Sequence, residues 1–90
     1  MPQAVVDPGE VRRFANTLKR FTGDLQAGLA VIHGQMVGLG DTWRDQEHAK
    51  FREEFEQTMH VLARFIEHAN EHIPFLLRKA ERIEEYLQQR

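Results

Sequence analysis

His68-Ala69-Asn70-Glu71-His72 is the segment whose residue types and spacing come nearest to catalysis. Two imidazoles four apart on a helix face the same way and can hold zinc, while the glutamate between them can act as base on a metal-bound water. Such a site also needs a third protein ligand and a cleft for substrate. Only 18 residues follow His72, and Pro74 disturbs the helix beside it. His72 also falls on an apolar seam, where a hydrogen-bonded structural histidine is the commoner outcome. Five histidines among many glutamates produce such matches by chance. The expectation is therefore no catalytic residue, no metal and no cofactor. His33, His48 and His60 are scattered and read as surface residues. A pH-sensitive interface around His72 would follow if that imidazole were buried in its neutral form. The chain has no serine for a serine triad and no Gly-rich phosphate loop, and without cysteine it can form neither a disulfide nor a thiolate metal site.

Trp43 is the only tryptophan, and it sits between two long helical patterns. Gly38, Gly40 and Asp41 before it favour a turn. Thr42, followed three residues later by Asp45, resembles a capping box for a helix beginning near residue 44. A tryptophan at this place either covers the turn, against Phe51 or Leu39, or offers a partner a large amphipathic side chain.

The elements that must position these residues are both helical. Asp7-Pro8-Gly9-Glu10 supplies an N-cap acceptor, a proline at the first helical position and an early acid. From there Val11, Phe14, Leu18, Phe21, Leu25, Leu29, Ile32, Met36 and Leu39 recur at steps of three and four, which predicts a helix over about 8–39. After a turn at about 40–43, Phe51, Phe55, Thr58, Leu62, Phe65, Ala69, His72 and Leu76 form a second seam, widened by Met59, Ile66 and Ile73. Ala80, Ile83 and Leu87 carry it on, predicting a helix over about 44–88 with a kink near Pro74. Helices this long exceed what a small globule needs and point to a coiled-coil-like assembly. Gly23, Gly28, Gly34 and Gly38 in helix 1 imply close backbone approach or tolerated flexibility. The expected architecture is all-α: an antiparallel two-helix hairpin that dimerises into a four-helix bundle.

Ninety residues make one domain with a small core, so packing against a second chain would supply stability that a short chain lacks. Net charge is −2, spread without a basic body, so nucleic acid is an unlikely partner. Arg12, Arg13, Lys19 and Arg20 share one end of the hairpin with Arg78, Lys79, Arg82 and Arg90, but Asp7, Glu10, Glu81, Glu84 and Glu85 lie there too. A solvated mixed-charge face is the simpler reading. Met1-Pro2-Gln3-Ala4 lacks the charged start and apolar core of a cleaved signal peptide. Ile73-Pro74-Phe75-Leu76-Leu77 is far too short to span a bilayer, so no membrane insertion is expected.

With its length, lack of cysteine, two amphipathic helices and Trp-marked turn, the chain resembles the WXG family of small type VII secretion substrates, the early secreted antigen-like helical hairpins. An aromatic residue eight positions after the tryptophan is matched by Phe51. The resemblance implies synthesis in the cytoplasm without a cleaved signal and secretion by a dedicated route. It further implies a partner that is a second copy or a related hairpin, and recognition by a secretion ATPase through Trp43 and Tyr86. Two positions depart from the pattern. Asp45 stands where the family has glycine, and Arg90 stands where a C-terminal export motif beginning at Tyr86 has an acid. The residues expected at the hairpin or dimer interface are Phe14, Leu18, Phe21, Leu25, Ile32, Phe51, Phe55, Met59, Leu62, Phe65, Ile66 and Ile73. The alternative is a cytosolic helical adaptor or nucleic-acid-binding dimer unrelated to secretion.

Overall fold

A computed structural model describes residues 6–89. Met1-Pro2-Gln3-Ala4 and Arg90, on which the leader and export-motif expectations rest, lie outside the described residues. Helix α1 runs Pro8–Leu39 and α2 runs Gln46–Gln88, joined into a hairpin 68 Å long and 22 by 14 Å across. Asp7 caps α1, its Oδ1 accepting the Gly9 N–H at 2.8 Å. α2 continues through Pro74 as one helix.

The cap of α2 differs from the expected capping box. Asp45 itself is the N-cap, and its Oδ1 accepts the His48 N–H at 3.0 Å. Asp45 is extended, with φ −89° and ψ −176°, and no described residue has positive φ. Extended backbone is open to any residue, so glycine is not required at this position. The short carboxylate satisfies one of the free N–H groups at the positive end of α2. The helix therefore begins at Gln46, and Trp43 stands outside it. Replacing Asp45 by alanine is expected to cost about 1 kcal/mol. In a chain of this size that lowers Tm by about 4–8 °C, which thermal circular dichroism would detect. Asp45→Asn, which keeps the acceptor, should be close to neutral.

α1 ends in stacked turn hydrogen bonds. The Gly40, Asp41 and Thr42 N–H groups donate to the Val37, Gly38 and Leu39 carbonyls at 3.1 Å each, and Trp43 N–H donates to Leu39 at 2.8 Å. Arg44 Nε reaches back to the Gly40 carbonyl at 3.0 Å. Together they fold the chain back on itself without a left-handed residue.

The core is narrow and built largely of small residues. Ala15 and Ala80 are fully buried, with Thr22, Met36, Ile66, Ala69 and Ile73 buried nearby. The Thr22 hydroxyl donates to the Lys19 carbonyl at 3.0 Å and lies 3.5 Å from Asn70 Oδ1, so the polar group is satisfied where the helices meet. At the open end Arg12 pairs with Glu84 across the helices. That pair joins one of the arginines of the basic cluster to an acid of the same end.

The seam is rotated from the one read in the sequence. Ala15 and Thr22, not Phe14 and Phe21, face the second helix, and the two phenylalanines stay more than half exposed. Small residues allow the backbones to approach, and a phenylalanine at the crossing would hold them apart. The glycines of α1 do not serve that approach. A Cβ added at Gly23, Gly28, Gly34 or Gly38 would meet open space.

Candidate functional site

Trp43 is half-buried and rests on the first turns of α2. Its ring lies 4.9 Å from that of His48 and 5.9 Å from that of Phe51, centroid to centroid. Phe51 in turn stacks on Phe55 at 5.5 Å with an interplanar angle of 20°. An aromatic row thus starts at the turn and runs down α2. Trp43 covers the turn on one side and leaves part of the indole open, with Asp41, Thr42, Arg44 and Asp45 exposed around it.

His48 corrects the surface assignment made for it. It is only 7% exposed, lying under Trp43. It occupies the third helical position after the cap, where the 3–4 periodicity of the large apolar residues does not flag it. The signal was its spacing of seven, eleven and eighteen before Phe55, Met59 and Ile66, which carries the inward stripe of α2 back to the helix start.

The expected interface residues divide into two sets. Ile66 and Ile73 are buried inside the hairpin, and Leu18, Leu25, Phe55, Met59 and Leu62 are half-buried along it. Phe14, Phe21, Ile32, Phe51 and Phe65 are exposed. On α1, Phe14, Phe21, Ile32 and Leu39 are separated by 7, 11 and 7 residues, steps that return to the same side of a helix. Phe21 meets Phe65 edge to face across the two helices, centroids 6.1 Å apart. One groove on this side is lined by Phe14, Leu18, Phe65, Phe75 and Leu76, and another by Ile32, Met36, Leu39, Phe51 and Phe55. The result is an open apolar face along the rod. A third groove, lined by His33, Glu53, Glu56, Met59, His60 and Ala63, carries more polar groups than these two.

His72 lines the apolar groove but is itself exposed, so it is not the buried seam histidine of the sequence reading. His68 Nδ1 lies 3.8 Å from Glu71 Oε1, both side chains well open to solvent. Among the described residues no group of three or more His, Cys, Asp or Glu side chains could hold a metal ion. Tyr86 is 66% exposed near the end of α2, about a hairpin's length from Trp43, so the structure does not bring the two together. Among the described residues no helix is long and apolar enough to cross a membrane.

The hairpin closely matches solved structures of the secreted protein EsxB from Bacillus anthracis strain Sterne. A selenomethionine-labelled form superposes with a TM-score of 0.77 at 26% identity, covering 96% of this chain and 98% of that one. A wild-type crystal form gives 0.76 at 26% identity, covering 93% and 97%. A comparison with curated proteins gave no match. The family model for proteins of 100 residues with WXG matches residues 3–87. With nearly its whole length matched, this helical hairpin belongs to the WXG100 family.

Proposed function

We propose that this chain is a type VII secretion substrate, or the partner chain of one, that pairs hairpin to hairpin through its apolar face and shows the Trp43 turn to the secretion machinery. The observation that carries the pairing is the exposed row of Phe14, Phe21, Ile32, Phe51 and Phe65 on one side of the rod. Its surface area is 7244 Å², against about 5,500 Å² for a compact monomer of 10.6 kDa. Part of that excess belongs to any rod. The contiguous aromatic share of it marks a surface that a partner covers. A second two-helix layer would bury the face and complete a four-helix bundle. The turn lies at the tip of that bundle, where Trp43 adjoins the Phe51 end of the pairing face and a secretion ATPase could grip its open side.

Recognition, not chemistry, is the mechanism. The protein's share of it is a rigid rod with a fixed aromatic tip. The test is to follow a tagged chain in cells with and without the membrane-bound secretion ATPase, and to measure the mass of the purified chain in solution. Appearance in the medium only when the ATPase is present, together with a mass of two chains alone or one chain plus a related hairpin, supports the reading. A monodisperse, well-folded monomer that finds no hairpin partner would sink the pairing. Retention in the cell under both conditions would sink the secretion role.

A further inference from the structure

α2 carries a second stripe besides the one that packs on α1. Phe51, Glu54, Thr58, Val61, Phe65 and His68 recur at alternating steps of three and four, and the pattern runs unbroken from Glu47 to Tyr86. Every residue on this stripe is exposed, whereas Phe55, Leu62, Ile66 and Ile73 beside it are buried or half-buried against α1. A seven-residue repeat sustained over most of a helix is the seam of a coiled coil, and it stays in register with one long partner helix. The stripe is not purely apolar, for Glu54 and Lys79 both stand on it. A partner with a plain apolar face would strand both charges in the contact, at a high desolvation cost. The partner that fits must answer each of them.

The stripe is symmetric about a point between Ile66 and Glu67, at the middle of α2. A two-fold axis through that point reverses the helix and lays the stripe on itself. Glu54 then meets Lys79, and the Phe51 ring meets the Arg82 guanidinium, an attraction of a cation to an aromatic face. Val61 meets His72, and Phe65 meets His68 at the centre. No like charges face each other along the stripe. Its outer flank repeats the match, since the same reversal brings Arg64 near Glu71 and Lys50 near Glu85, all four exposed. We propose that the partner is a second copy of this chain, its α2 lying antiparallel along this stripe, and that Glu54 and Lys79 are the residues that select it. This rests on the reading of the apolar face as a pairing surface, and adds the identity of the partner and the register. A two-fold contact uses each pair twice, so a Glu54–Lys79 ion pair stands about 19 Å along the helix on either side of the axis. Charges placed symmetrically about a shared centre favour the same chain over a hairpin that lacks them.

Charge reversal on the full chain tests this, with sedimentation at low salt reading the mass and circular dichroism the fold. Glu54→Lys sets lysine against Lys79 at both ends of the contact, and Lys79→Glu sets glutamate against Glu54. Each change alone should weaken self-association at least about tenfold. The chain carrying both changes has opposite charges at every pair again, and so has an equimolar mixture of the two single variants. Both should recover the dimer. Glu54 and Lys79 are exposed, so the hairpin should be untouched. Should one variant misfold, the loss in the other, relieved as salt screens the repulsion, decides the matter. Single variants that pair as tightly as the wild type, or a mixture of folded variants that stays apart, overturn the register and leave the pairing through the apolar face in place. A wild-type chain that pairs only with a different hairpin overturns the second copy and likewise leaves that reading standing. A chain that pairs with neither removes both.

Discussion

Replacing Phe21 and Phe65 together by aspartate is expected to convert a paired hairpin into a folded single chain. Both side chains are exposed on the apolar face, and they touch each other edge to face. Burying a phenylalanine contributes about 1.5–3 kcal/mol. In a two-fold pairing each residue is used twice, so four buried rings are lost at once. Aspartate then adds charges that a dry interface cannot solvate. Even if half of that is recovered by relaxation, the loss is about 3–6 kcal/mol, at least roughly a hundredfold in Kd. The hairpin itself should persist, because Ala15, Ile66, Ala69, Ile73 and Ala80 form its core and lie on another side. It gives up only the Phe21–Phe65 pair, worth about 0.5–1.5 kcal/mol. Sedimentation at tens of micromolar would read the mass, and circular dichroism the helix content. Ile73→Ala is the contrasting control: it should lower Tm by opening the core, at about 2–5 kcal/mol, before it affects pairing. A double aspartate variant that still runs as a dimer with unchanged affinity would place the interface elsewhere.

The same pair of phenylalanines shows where sequence reading succeeds and where it stops. Periodicity at three and four identified both helices, and the family resemblance was legible in the Trp43 turn and Phe51. Periodicity locates a stripe but not its angle to a neighbour. Phe14 and Phe21 are the largest apolar residues of their turns, so they were expected to serve whichever interface the seam made. The helices instead meet at Ala15 and Thr22, one residue on, because backbones come closest where side chains are smallest. A rotation of one residue, about 100°, moves a ring from the core to the surface. It also separates two interfaces that a single stripe had merged. The turn failed differently. Thr42 and Asp45 have the spacing of a capping box, but which acceptor caps is settled by backbone angles, and Asp45 is the extended one. His48 was missed because a histidine carries no apolar signal of its own, and it is the turn, with Trp43 packed over the first turn of α2 and Gly40 beside the ring, that buries it.

Trp43→Ala is expected to abolish export while leaving the fold and the pairing in place. The indole is half-buried and packs on His48 and Phe51, so it does not plug a closed core. Truncating a fully buried tryptophan costs about 3–5 kcal/mol, whereas a side chain open on one side can let its neighbours and water fill the space. A loss of about 1–2 kcal/mol follows, since the turn's backbone hydrogen bonds and the Asp45 cap do not involve the indole. The pairing face, centred on Phe21 and Phe65, lies some way along the rod and should keep its affinity within a few-fold. Export is a different matter. A half-open aromatic residue at the tip is the kind of group that anchors a recognition surface, and removing such an anchor costs about 2 kcal/mol or more of binding, at least about thirtyfold. Trp43→Phe should recover part of the export, because it keeps a flat ring on Phe51. The measurement is secreted chain per cell, alongside Tm and solution mass for each variant. If alanine unfolds the chain, and a second substitution that restores Tm also restores full export, the indole is only packing for the turn. If instead the folded, paired alanine variant stays inside the cell, the indole is the group that the secretion machinery grips at the tip.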